Sequence, residues 1–196
     1  MAETDFSDRQ VQIINAAIKL IGEGGIQLLT TKNLAREVGV SEPALYRHFS
    51  NKVDLLRQVL TYLRSRIVQR LNEVAGSDLS PSEKLRELVI RQFTAFSNRP
   101  EVVVVLLSEG LYQNNNELSA FVFSIMQVSS SYYLKVIKDG QKTGEFRNDV
   151  TAERITFMIM GSMRFCVIQW HLSGFSYKLL PKGEELLDTF FTLLKS

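Results

Sequence analysis

The sequence contains few of the residues that cross-link chains, bind metals or catalyse reactions. Its 196 residues include one cysteine, Cys166, and two histidines, His48 and His171. A single cysteine excludes a disulfide framework within the chain and suits a reducing compartment. No group of histidines or carboxylates has metal-ligand spacing, and Cys166 lies in an apolar run without an adjacent base. We therefore expect no metal, no cofactor and no enzymatic activity.

Long hydrophobic runs and a secretory leader are also missing. A membrane-spanning helix needs roughly 20 apolar residues. The longest candidate here, residues 155–170, is shorter and contains Arg164. The first residues, MAETDFSDRQ, are polar and acidic, unlike a signal peptide. We expect a soluble, cytoplasmic protein with the 45% hydrophobic content of an ordinary globular chain.

A strong net charge is absent as well, but the charge is unevenly distributed. The whole chain carries +2, which is too little to suggest non-specific coating of nucleic acid. Residues 30–70 hold eight basic side chains against three acidic ones, so this stretch carries +5 and the remainder −3. A local basic patch is typical of proteins that contact DNA phosphates. A solvated helix face can have the same composition.

The apolar pattern predicts helices and no strands. Apolar residues recur at helical spacing along nearly the whole chain, and no stretch alternates as a strand does. Capping residues mark helix starts, and glycine or proline marks most breaks. With their caps, the predicted helices cover residues 7–23, 30–38, 41–49, 51–75, 81–98, 101–112, 117–140, 151–172 and 183–195. We expect an all-α protein in which a three-helix head precedes a larger helical body.

Residues 30–52, TTKNLAREVGVSEPALYRHFSNK, are the most informative part of the chain. Two short amphipathic helices meet at Gly39. Leu34 and Val38 point inward from the first helix, and Leu45 points inward from the second. This pattern is typical of a helix-turn-helix, which places its second helix in the DNA major groove. DNA binding is therefore the leading functional hypothesis.

The exposed residues of this unit have the chemistry that DNA contacts require. The first turn of the second helix can reach base edges, and the Pro43 ring offers an apolar contact to a thymine methyl. The side chains after that turn, and those at the preceding helix start, can reach phosphates. Lys52 can do so beside the free amides of the next helix. The predicted DNA-binding residues are Thr30, Thr31, Lys32, Ser41, Glu42, Pro43, Ala44, Tyr46, Arg47, His48 and Lys52.

The same stretch closely resembles the DNA-binding domain of the tetracycline-repressor (TetR) family. After a helix that opens with threonine, the matching motifs are Leu34-Ala35, Val38-Gly39-Val40, Leu45-Tyr46, His48-Phe49 and Asn51-Lys52. The specific match covers residues 8–65, and beyond it only the length and the all-helical layout agree.

The resemblance implies a nine-helix homodimer. It implies a DNA-binding domain over residues 1–52 and a regulatory and dimerisation domain over residues 53–196. It further implies that the start of the second helix, Tyr46, His48 and Lys52 hold phosphates. By the same resemblance, the residues that face bases are Ser41, Pro43, Ala44 and Arg47. A small molecule in the body would shift the fourth helix and change the separation of two reading heads.

Glu42 departs from the pattern of many relatives, which carry a small, amide or basic residue there. Its carboxylate can accept a hydrogen bond from cytosine N4, but phosphate repels it. It can equally stabilise the N-terminus of its own helix and point aside. Glu42 therefore leaves the operator sequence open, whereas DNA binding does not depend on it.

The body, residues 90–170, is rich in aromatic residues and methionine. Core packing is the default interpretation of each of these side chains. The more specific hypothesis is that some of them line a pocket for a bulky apolar effector. Arg164 must pair with a carboxylate such as Glu109 or Glu117, pair across a dimer, or meet an anionic ligand. The predicted ligand-binding residues are Phe93, Phe96, Tyr112, Met126, Tyr133, Phe157, Met160 and Arg164.

A single reading helix contacts only a few base pairs, so we expect a homodimer on a palindromic operator. The helices at 151–172 and 183–195 are the predicted isologous interface, with core packing inside one subunit as the alternative. The predicted dimer residues are Gly161, Phe165, Ile168, Leu187, Phe190 and Phe191.

Together these features predict a sequence-specific transcriptional regulator that binds double-stranded DNA. We expect a repressor that a small, largely apolar effector releases from its operator. The alternative is a TetR-like DNA-binding protein with an architectural or partner-recruiting role and no small-molecule effector.

Overall fold

A computed structural model describes residues 6–108, 112 and 115–195. These residues form nine helices and no strand. The helices are α1 (Asp8–Gly24), α2 (Thr31–Val38), α3 (Glu42–Leu45), α4 (Lys52–Ala75), α5 (Pro81–Asn98), α6 (Pro100–Leu107), α7 (Asn116–Thr143), α8 (Ala152–Leu172) and α9 (Leu179–Leu194). The predicted all-α fold is confirmed.

Local chemistry explains where most helices begin. Ser7 and Ser80 each form a capping box with the residue three positions later, so two otherwise orphaned amides are satisfied at each start. Thr151 accepts a hydrogen bond from the Arg154 amide. At α4, the Asn51 side chain accepts from the Asp54 amide at 2.9 Å. These caps lie where the sequence predicts them.

The described chain divides into two compact units. The first contains residues up to Arg66 together with Pro100–Ile125. Within it, α1 packs against both α2 and α6. Gly22 allows the close approach of α6, because a Cβ at that position would lie 2.4 Å from Cβ of Glu101.

The second unit contains Ile67–Arg99 and Met126–Ser196. Here α9 packs against α5 and α8. Gly183 of α9 is buried against Phe93 of α5, and a Cβ on Gly183 would lie 2.0 Å from the Phe93 ring. The grouping of residues by packing does not coincide with the domain boundary predicted at residue 52. That boundary concerns function, so it stays a prediction.

Four predicted helix bounds differ from the structure. Helix α7 continues to Thr143, three residues past its predicted end at Gly140. The reading helix α3 ends at Leu45 and residues 46–48 continue as turns, instead of helix reaching Phe49. The helix predicted over 101–112 spans Pro100–Leu107, and its β-branched valines are helical as expected. The last helix begins at Leu179, four residues before the predicted start. Pro181 lies in its first turn, where a missing amide breaks no hydrogen bond.

None of the helices in the described residues has the length and apolar character needed to cross a membrane.

Candidate nucleic-acid interface

The turn between α2 and α3 has the geometry that its sequence requires. The Thr30 hydroxyl accepts from the Asn33 amide at 3.1 Å, and the Asn33 side chain donates to the Leu28 carbonyl at 2.9 Å. Gly39 ends α2 in the left-handed conformation, with φ 75° and ψ 38°. A residue with a Cβ is strained there, which explains why glycine makes this turn.

Helix α3 is held from behind by apolar side chains. Leu45 is fully buried and Phe49 is 6% exposed. The opposite side presents Ser41, Glu42 and Pro43 to solvent. The Ser41 hydroxyl makes no capping hydrogen bond, so it keeps its donor and acceptor for another partner. A short helix with a rigid apolar back and an exposed first turn is suited to reading a DNA groove.

Tyr46 and the start of α2 come together on one surface. The Tyr46 hydroxyl lies 3.3 Å from the Thr31 hydroxyl, and 54% of Tyr46 is exposed. His48 is half-buried, and its carbonyl accepts a hydrogen bond from the Gln58 side chain at 2.9 Å. Hydroxyl and imidazole groups fixed in this way can hold phosphate oxygens.

The cations of this surface differ in how they are held. Lys32 and Arg47 are exposed and make no ion pair or hydrogen bond with any described residue. The Lys52 ammonium donates to the Ile26 carbonyl at 3.1 Å, which ties the start of α4 to the loop after α1. Arg57 pairs with Asp54 at 2.6 Å. Lys32 and Arg47 are thus fully available to phosphates or bases, whereas Lys52 also has a structural role.

Two positioning residues were not predicted from the sequence. Asn33 holds the loop before α2, and Gln58 holds the backbone at His48. Both are polar residues beside the apolar stripes of their helices, which is the signal that could have identified them.

Comparison with known proteins places this geometry in a family. A model of the bacterial regulatory proteins of the TetR family matches residues 13–59. A second model, of the C-terminal region of YsiA-like proteins, matches residues 61–194. The chain belongs to the TetR family. It is therefore a DNA-binding transcriptional regulator.

Two curated proteins match nearly the whole chain. The fatty acid metabolism regulator protein of Bacillus subtilis is 23% identical over 180 residues, covering 92% of each chain. The nucleoid occlusion factor SlmA of Vibrio atlanticus is 25% identical over 199 residues, covering 100% of this chain and 98% of its own. Neither relative is an enzyme by name.

Two solved TetR-family structures share the fold. FadR of Bacillus halodurans, a fatty acid degradation regulator, superposes with a TM-score of 0.87 at 22% identity, covering 96% of this chain and 97% of its own. FadR of Bacillus subtilis, solved in complex with stearoyl-CoA, superposes with a TM-score of 0.82 at 23% identity, covering 92% and 97%.

The predicted ligand-binding residues divide into an inner and an outer set. Phe93 and Tyr133 are buried, and Phe96, Met160 and Tyr112 are half-buried. The Tyr112 hydroxyl donates to the Val105 carbonyl. The Tyr133 hydroxyl is buried and has no hydrogen-bond partner in the described part of the chain. Burial raises the pKa of this phenol and that of Tyr112.

The outer set is exposed, and its role in ligand binding stays a prediction. Phe157 is 81% exposed, Met126 is 43% exposed, and Arg164 is exposed. These side chains face solvent and do not line the interior. Arg164 makes no ion pair with a described residue. Its predicted partner Glu117 instead pairs with Arg57, with 3.9 Å between Arg57 Nε and Glu117 Oε1. The other predicted partner, Glu109, lies outside the described residues.

The predicted dimer residues also divide. Gly161 and Phe165 are exposed on α8, and Ile168 is half-buried beside them. Leu187 and Phe190 are buried inside the chain, because this face of α9 packs on α5 and α8. They have almost no surface to offer a partner, so the structure assigns them to the core. Phe191 is half-buried, with the Arg86 guanidinium 5.3 Å from its ring centre.

Cys166 is half-buried, and burial raises the pKa of its thiol. A raised pKa disfavours the reactive thiolate. The described residues contain no group of three or more potential metal ligands.

Proposed function

We propose that this TetR-family regulator is a homodimeric repressor, released from a palindromic operator by a long-chain acyl thioester. The observation that carries the DNA-binding part is α3, with Leu45 fully buried behind an exposed Ser41-Glu42-Pro43 turn. The hydroxyl groups of Thr31 and Tyr46 lie close enough together to bind one phosphate. In this arrangement Ser41, Pro43, Ala44 and Arg47 face bases.

The outer face of α8 supports the dimer. Phe157, Phe165 and Leu172 are 81%, 61% and 78% exposed and lie about two helical turns apart. Large apolar side chains grouped on one exposed face mark an interaction surface. Gly161 lies between them, and a Cβ there would meet nothing within 4 Å. Packing within the chain does not require a glycine, whereas close approach of a second α8 does.

The relatives support the class of effector. One relative from Bacillus subtilis is named for fatty acid metabolism, and the similar FadR structure from Bacillus subtilis was solved in complex with stearoyl-CoA. In the present chain, the second unit combines apolar side chains with a buried, unsatisfied Tyr133 hydroxyl. A pocket for an acyl chain needs mostly apolar walls and a few polar groups.

Selection of bound DNA from a random pool, followed by a titration with stearoyl-CoA, tests the proposal. We expect a palindrome with half-sites about one DNA turn apart and loss of bound DNA as stearoyl-CoA is added. Combined Tyr46→Ala and His48→Ala changes should abolish retention of the selected DNA. Lys135→Ala, at an exposed position of α7, is the control that should retain it.

A second candidate is an architectural or partner-recruiting DNA-binding protein without an effector. The full-length match to a nucleoid occlusion factor favours it. The same titration separates the two functions. Specific DNA binding that neither stearoyl-CoA nor other acyl thioesters change, together with an unchanged melting temperature, would support the second candidate and exclude the first.

A further inference from the structure

Arg64 of α4 has a buried donor without an acceptor. Its Nε atom is inaccessible to solvent and has no hydrogen-bond partner among the described residues. The residue as a whole is half-buried, so part of it remains accessible to solvent. A buried N–H without an acceptor costs about 1–3 kcal/mol, and more when the group is charged. Such a donor calls for a partner that the described residues do not supply.

The surroundings of Arg64 on its own helix are apolar. Leu60, Ile67 and Leu71 stand four residues before, three after and seven after it, on the same stripe of α4. Their exposed fractions are 1%, 7% and 6%. Arg64 therefore shares the buried stripe of α4.

The acidic residues of α4 are already engaged. Asp54 pairs with Arg57 at 2.6 Å, and Glu73 pairs with Arg91 at 3.1 Å. No other aspartate or glutamate occurs in the helix. Arg64 thus lacks a counter-charge from its own helix.

The remaining cations of α4 have partners. Lys52 donates to the Ile26 carbonyl, and Arg66 and Arg70 each have an interaction. Among the described residues, Arg64 is the one basic residue of this helix without any.

We propose that Arg64 binds an anionic oxygen of the effector, which in an acyl-CoA thioester is a phosphate oxygen. The planar guanidinium matches the geometry of phosphate, and its apolar neighbours exclude the water that would otherwise compete. Arg64 therefore suits an amphiphile with an apolar chain and an anionic end. The inference rests on the proposed acyl effector and adds the residue that holds its charged end. Helix α4 begins directly after the reading unit, so the ligand engages the helix that continues from the DNA-binding surface.

Titration calorimetry tests this assignment on the full-length protein. The probes are stearoyl-CoA, stearate and CoA alone. We expect Arg64→Gln to raise the Kd of the bound probe about tenfold or more. The matched control is Arg66→Gln, which removes the same charge from an exposed position of the same helix, and its Kd should equal that of the wild type. A loss of affinity confined to stearoyl-CoA and CoA supports a phosphate contact. A loss shared equally by stearate and stearoyl-CoA would place Arg64 at the acyl chain and would contradict the assignment.

The wild type separates failure of the inference from failure of the proposed function. If it binds stearoyl-CoA and Arg64→Gln binds equally well, Arg64 is not the anion site and the proposed function stands. If the wild type binds none of the three probes, both are overturned.

Stability gives a second readout. Arg64→Met keeps the apolar stem and removes the N–H that lacks an acceptor, so the melting temperature of the variant without ligand should be higher than that of the wild type. The increase in melting temperature that stearoyl-CoA causes should be smaller in the variant. Should Arg64→Gln fail to fold, Arg64→Lys, which keeps the charge but loses the planar fork, replaces it. Unchanged probe affinity in Arg64→Lys and an unchanged ligand-induced shift in Arg64→Met would overturn the proposal.

Discussion

The DNA-reading helix α3 and the outer face of α8 have opposite chemistry. On α3, Leu45 is fully buried and the exposed residues are polar or small. On α8, the apolar side chains of Phe157 and Leu172 are 81% and 78% exposed. The first surface fits a charged, hydrogen-bonding partner and the second an apolar one. The first surface can be recognised from its polar residues, whereas the second can be recognised only when the exposure of its apolar residues is known.

An amphipathic pattern identifies the buried side of a helix only when the opposite side is polar. In α2 and α3 the polar residues mark the exposed side, so the apolar stripe identifies the core. Helix α8 is apolar on several sides, with Ile155, Ile159 and Met163 buried and Phe157 and Phe165 exposed. Periodicity cannot distinguish a core face from an interface when both are apolar.

The largest expected effect comes from removing the buried back of α3. Leu45→Ala leaves a cavity under a four-residue helix, and we expect a loss of about 2–5 kcal/mol in unfolding free energy. Specific DNA binding should be lost with it. Thermal denaturation and fluorescence anisotropy with operator DNA measure the two effects.

The control for Leu45→Ala is Glu42→Ala on the exposed side of the same helix, which should change stability by less than about 0.5 kcal/mol. Equal melting temperatures for the two variants would contradict the inward placement of Leu45.

The next effect concerns the apolar face of α8. Phe157→Glu combined with Phe165→Glu should convert the dimer to a monomer, because four charges would meet in an isologous interface. Operator affinity should then fall about a hundredfold, since two linked heads no longer bind together. Sedimentation velocity and anisotropy measure these changes.

Gln127→Glu on α7 adds charge at another exposed position and should leave the dimer intact. A double variant that still sediments as a dimer would place the interface elsewhere.

A smaller effect is expected where α5 meets α9. Gly183→Ala would place a methyl group 2.0 Å from a Phe93 ring atom. Overpacking of this kind costs about 1–3 kcal/mol. Urea unfolding should show a lower midpoint with an unchanged slope. Lys182→Ala, at the exposed neighbouring position, is the control, and a similar midpoint for both variants would show that α9 shifts without cost.

The smallest effect is a dependence of stability on pH at the start of α4. The backbone N–H of Ser50 and the Arg57 side chain lower the pKa of Asp54. Stability from this carboxylate is therefore present above its unfolded pKa of about 3.9 and lost as the pH falls through the lower folded value. Melting temperatures should drop by a few degrees over that range.

Asp54→Asn keeps an acceptor for the Ser50 amide but does not titrate. Its melting temperature should fall less steeply with acid than that of the wild type. Parallel curves for the two proteins would show that Asp54 contributes nothing to the acid response.

The reading head was predictable because its determinants are local. Thr30, Gly39 and Asn51 act within a few residues of themselves, through caps and a left-handed turn. The end of α3 was not predictable, because residues 46–48 are of types that a helix accepts but form turns in the structure. In the body, aromatic and methionine spacing predicted helices but did not separate buried Phe93 from exposed Phe157.

The helical fold, the helix-turn-helix and the resemblance to the family could be read from the sequence, because caps, turns and apolar spacing act between near neighbours in the chain. Packing was needed to show that Leu187 and Phe190 are core and that the outer face of α8 is apolar and exposed. It was also needed to show that Arg64 Nε is buried with no acceptor among the described residues. Burial depends on which distant helices pack on a given face, and no local pattern records that choice.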